Sequence, residues 1–151
     1  MTSLALSVVL QASMAVSAAP LSYEKGVQAA AESGRPLLIL VGAPWCRDCV
    51  ILKRDVMPKL KKTGLLDQVE FVYLDFDQNR TLVSQMMVNE MIPEMILYRK
   101  TANGWTRSNL NMSEKLEEIQ AFIKAGLRKP EPKTPKPETV ENPQNENSEK
   151  E

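Results

Sequence analysis

The most constraining feature of this chain is a short apolar run, Leu37-Leu38-Ile39-Leu40-Val41, that leads within five residues into Cys46-Arg47-Asp48-Cys49. An uninterrupted apolar run bounded by Gly34 and Gly42 reads as a strand buried on both faces, so helices must cover it above and below. Val50, Leu52, Val56 and Leu60 then recur at helical spacing, which sets the first cysteine at or beside the start of a helix. Pro58 inside that helix is expected to kink it or end it early.

The rest of the chain extends this pattern to an alternating α/β architecture. Tyr23, Val27, Ala30 and Ala31 mark a first helix, with Ser22 placed to cap it and Gly34 to end it. Val69 to Leu74 reads as a second strand, and Asp77-Gln78-Asn79 as a turn and cap leading into a helix from about Arg80 to Val88. A third strand, Met95 to Arg99, turns at Asn103-Gly104 toward Trp105-Thr106-Arg107 as a hairpin. Ser113 with Leu116, Ile119, Phe122 and Ile123 gives a last amphipathic helix ending near Gly126.

Both ends of the chain differ from this middle. Residues 3 to 19 are small or apolar and close on Ala15-Val16-Ser17-Ala18-Ala19, which suits cleavage by a signal peptidase near Ala18, although no Lys or Arg precedes the run. Residues 1–18 are thus expected to be a signal peptide, 19–127 a single domain, and 128–151 a disordered tail rich in proline, lysine and glutamate, with almost nothing to bury. Export would place the protein in the periplasm or another extracytoplasmic space.

Composition narrows the chemistry. Lysine plus arginine equals aspartate plus glutamate at 19 each, so no basic excess is available for a nucleic-acid backbone. Histidine is absent, which removes Ser-His-Asp and Cys-His nucleophile systems and imidazole zinc sites. The two cysteines are too few for a disulfide scaffold, and a zinc ribbon would need a second pair. No metal and no cofactor beyond the sulfurs is expected.

A cysteine in the first turn of a helix meets the positive end of the helix dipole and unpaired N–H groups, which favour its thiolate. Cys46 would then attack a partner's disulfide, and the more buried Cys49 would resolve the mixed disulfide. Arg47 and Asp48 lie between them and should act in opposite senses. The alternatives are a permanent disulfide, which would add little stability across so short a loop, and a metal shared between two copies through both cysteine pairs.

Ala43-Pro44-Trp45-Cys46-Arg47-Asp48-Cys49, followed by Asp77-Gln78-Asn79 and then Ile92-Pro93, resembles the thioredoxin-like proteins over roughly residues 22 to 126. Gly34-Arg35-Pro36 and the long helix after Cys49 are similar to exported members that include the C-terminal domain of the membrane thiol:disulfide interchange reductant. The resemblance implies a central mixed sheet flanked by helices, and a cis Ile92-Pro93 bond beside the cysteines where a partner's strand is received. A trans proline that starts a strand is the alternative. It also implies a Trp45 that shields the pair, or else sits in the core, and an oxidoreductase that works on protein thiols or disulfides, as a monomer, with a membrane electron donor if exported.

Two departures from the family stand out. Leu40 occupies the place of a buried aspartate that handles the resolving thiol's proton, and Tyr73 replaces the lysine near it. Cys49 would then need water or a more distant carboxylate such as Glu94, and slow resolution is expected. Arg47-Asp48 in place of Gly-Pro leaves the direction of electron flow open. A second reading, a thioredoxin-fold binding module with a structural or vestigial disulfide, is favoured by Leu40 and the tail and opposed by the intact Trp45-Cys46 and Ile92-Pro93. Met86, Met87, Met91 and Met95 read chiefly as core filling.

Overall fold

The computed structural model describes residues 20–128. The expected signal segment lies outside the described residues, as does the expected tail beyond Arg128. Helix α1 (Tyr23–Ser33) starts where the Ser22 side chain accepts from Lys25 N–H and stops at Gly34, whose φ of 70° is left-handed. Strand β1 (Leu37–Gly42) is buried at every residue. Then come α2 (Arg47–Ile51), a π-helical turn (Leu52–Val56), α3 (Met57–Lys62), β2 (Glu70–Asp75), α4 (Arg80–Met86), β3 (Glu94–Thr101), β4 (Gly104–Asn111) and α5 (Leu116–Leu127).

The four strands are ordered β2-β1-β3-β4, with β1 parallel to β2 and antiparallel to β3, and β3 antiparallel to β4. This is the mixed sheet that was expected. Alternation along the strands divides the core in two. Leu37, Ile39, Val41, Val72 and Ile96 face Ala30 of α1 and Val83 and Met86 of α4. Leu38, Leu40, Met95 and Leu97 face Leu52, Leu60, Ile119 and Ile123 of the remaining helices. Burying both faces of β1 is why its sequence is an unbroken apolar run.

Two local expectations are corrected and two are made more definite. Pro58 does not end the helix early. The backbone widens to a π turn over Leu52–Val56 just before it, then continues as α3 with Pro58 in the first turn, where its missing N–H costs nothing. Gly126 stands one residue before the last helix ends, at Leu127, as expected. Its role is close packing: a Cβ there would come within 2.6 Å of Leu97. Val50, counted among the apolar positions of its helix, is exposed, while Cys49 and Leu52 beside it are buried. The hairpin strand β4 extends well past Arg107, to Asn111.

Candidate functional site

The chain leaves the C-terminal end of β1 through Gly42, Ala43, Pro44 and Trp45 and enters α2 with Cys46 as its N-cap. The Cys46 sulfur accepts from the Cys49 backbone N–H at 3.2 Å, so the first turn of the helix directs a free donor at that sulfur. The two cysteines form a disulfide with Cα atoms 5.2 Å apart. Both are nearly buried, Cys46 at 8% and Cys49 at 6% exposure, so the difference in burial expected between them is slight. Arg47 is exposed and Asp48 half-buried on the turn between them.

Ile92-Pro93 is a cis peptide bond. It brings the Ile92 carbonyl oxygen to 3.9 Å from Cys46 Sγ, so the loop before β3 lies directly against the first cysteine. The Pro93 carbonyl accepts from Met112 N–H at 2.8 Å, which ties this loop to the end of β4. Ile92 and Pro93 are themselves buried, but Val88 and Met91 ahead of them are exposed. Met86, Met87 and Met95 fill core, as expected.

Trp45 is 66% exposed and not a core residue. Its indole N–H donates to the Asp77 carboxylate at 2.6 Å, and its ring lies perpendicular to that of Phe76 with centroids 6.4 Å apart. Asp77-Gln78-Asn79 form the expected turn into α4. Asp75 holds it, its Oδ1 accepting from the backbone N–H of both Asp77 and Gln78 at 3.0 Å, while Asn79 stands at the α4 cap without a capping bond.

Leu40 is almost wholly buried in apolar surroundings, and Tyr73 is its register partner on β2. Glu94 does not share that face. It is paired with Val41, so it points to the α1 and α4 side of the sheet, fully buried, where Oε1 accepts from Asn109 and lies 3.9 Å from Arg107 while Oε2 has no partner. Burial pushes its carboxyl above the ordinary glutamate range, against the opposing pull of Asn109 and Arg107. The structure thus assembles Trp45, Cys46, Cys49, Ile92 and Pro93 at one end of the sheet and leaves Glu94 on the opposite face from Leu40. Among the described residues no group of three or more carboxylate or cysteine side chains is placed to hold a metal.

A family model described as thioredoxin-like matches residues 18–100. The chain belongs to the thioredoxin-like family. This thioredoxin-like chain is similar in structure to a thioredoxin from Thermus thermophilus, at 18% identity over 69% of this chain and 82% of that one, with a TM-score of 0.60. It is also similar to Trxlp from Edwardsiella tarda EIB202, at 24% identity over 69% and 95% with a TM-score of 0.55. A disulphide isomerase from Xylella fastidiosa Temecula1 matches at 25% identity over 68% and 86%, with a TM-score of 0.53. No curated protein matches the chain significantly. A cysteine pair at disulfide distance in this fold is consistent with thiol-disulfide oxidoreductase chemistry.

Proposed function

We propose that this protein is a thiol-disulfide oxidoreductase that reduces disulfides in partner proteins, with Cys46 as the attacking thiol and Cys49 as the resolving one. The observation that carries the reading is the Cys46 sulfur at the head of a helix, bonded by Cys49 N–H and faced by the Ile92 carbonyl. The helix start favours a thiolate, and the cis-proline loop offers main-chain atoms beside the sulfur to an incoming extended segment. The activity printed for the Xylella neighbour, disulphide isomerase, is of the same class. The reductant direction rests on the resemblance to the C-terminal domain of the membrane reductant, an argument from likeness and not from geometry. An extracytoplasmic location, a membrane electron donor and a monomeric state complete the proposal.

The test is the equilibrium potential of the cysteine couple in dithiothreitol or glutathione buffers. A value near −270 mV supports a reductant, and one near −120 mV makes it an oxidant. A pair still oxidised below about −300 mV is a structural disulfide. That last outcome selects the binding-module reading, which the buried Leu40 favours because it leaves no acid at that place.

A further inference from the structure

We infer that Asp75 receives the proton of Cys49 when the mixed disulfide is resolved, across an open pocket that the two residues line together. The inference rests on the oxidoreductase reading above and assigns a residue to one of its steps.

Cys49 attacks only as a thiolate, yet its side chain is buried, so its proton must leave by a defined route. Gly42 leaves that route clear: a Cβ there would lie 3.3 Å from Cys49 Sγ and 3.5 Å from the Tyr73 ring, so a side chain would crowd the space between the sulfur and β2. A pocket of about 340 Å³ opens beside Cys49, lined also by Lys53, Arg54, Tyr73 and Asp75. That is ample for water, which needs roughly 10–15 Å³ per molecule on this measure.

Register explains why Asp75 is there. Leu40 pairs with Tyr73 and Gly42 with Asp75, so Asp75 stands on the same face as Leu40, one pleat nearer the cysteines. Of the pocket-lining groups it is the sole carboxylate. Lys53 lies 4.5 Å from the Tyr73 ring centre and Arg54 is paired with Asp55, and both are cations without an acceptor. Burial, and secondarily the Asp75 charge, push the Tyr73 phenol up, so it stays a donor. Both backbone bonds to Asp75 go to Oδ1 and fix the carboxylate, leaving Oδ2 to take a proton.

In the step, the Cys49 proton passes through water to the Asp75 carboxylate. The thiolate forms the Cys49–Cys46 bond as the bond from Cys46 to the partner's sulfur breaks. The partner's sulfur leaves with the electron pair and is protonated from solvent. The dithiol is oxidised by two electrons and the partner's disulfide is reduced by two.

Stopped-flow mixing of the reduced protein with Ellman's reagent separates the two steps as two phases of thionitrobenzoate release. Asp75→Asn keeps an oxygen for both backbone bonds and removes the base. The expected result at pH 7 is an unchanged first phase and a second phase slowed about tenfold, the gap closing at high pH where the thiol ionises unaided. Gly42→Ala, which narrows the route and leaves Asp75 in place, should also slow the second phase, and it carries the test if Asp75→Asn does not fold. An unchanged second phase, an equal slowing at every pH, or a faster second phase from mere loss of a nearby negative charge each overturns the inference. Absence of both phases from the unmutated protein overturns the oxidoreductase reading itself.

Discussion

The indole of Trp45 and the carboxylate of Asp77 join the residue before Cys46 to the loop after β2, at 2.6 Å. The bond holds an exposed aromatic ring in one orientation beside the disulfide. Asp77→Ala should release the ring with little loss of stability, about 1 kcal/mol or less for so exposed a pair. Trp45 fluorescence should change in both redox states, and exchange with a protein disulfide should slow several-fold while Ellman's reagent reacts as before. Equal slowing with both reagents would mean that the bond serves the cysteines and not a partner.

Replacing the cysteines one at a time separates exchange from binding. Cys49→Ser is expected to accumulate covalent complexes with partner proteins that dithiothreitol releases, and Cys46→Ser to form none. Non-reducing gels of proteins recovered with each variant give the answer. Equal recovery by both variants without covalent bonds would favour the binding module.

Glu94 makes stability depend on pH. Its folded carboxyl ionises above the ordinary range, so between its unfolded value near 4.3 and the raised folded value the native state holds more protons than the unfolded chain. Stability from this group is therefore greatest below pH 4 and is lost as pH rises through the folded value. Urea denaturation from pH 4 to 7 should show Glu94→Gln gaining on the unmutated protein as pH rises. A constant difference between the two would show that Asn109 and Arg107 cancel the burial.

Helix α1 approaches the sheet at Gly26, where an added Cβ would fall 2.2 Å from Cγ2 of the fully buried Val72. Gly26→Ala gains up to about 1 kcal/mol of helix propensity, but overpacking against a stiff β-branched side chain costs about 1–3 kcal/mol. Net destabilisation by chemical denaturation is expected. Gly126→Ala meets the more adaptable Leu97 and should cost less.

What was legible in the chain is what repeats along it. The unbroken run of β1, the cap at Ser22 and stop at Gly34, and the amphipathic spacing of α5 each follow from local rules, and all are in place. The cysteine pair at a helix start was legible from helical spacing, and Ile92-Pro93 beside it through a family pattern. What escaped lies across the sheet. Whether Glu94 or Asp75 stands near Cys49 depends on strand register, which nothing in their own neighbourhoods encodes. Trp45 and Asp77 meet only because β2 lies beside β1, and the close approach of Gly126 to Leu97 shows only once α5 lies on β3.

The strand order carries a consequence for how the chain matures. Strand β1 is central, yet both of its partners come much later in the sequence, so every pairing that encloses the cysteines is a distant one. Until β3 docks, the Ile92 carbonyl is not opposite Cys46. A nascent chain thus presents two accessible thiols before it presents a cleft that chooses among partners, and during that interval any oxidant in its surroundings can reach them.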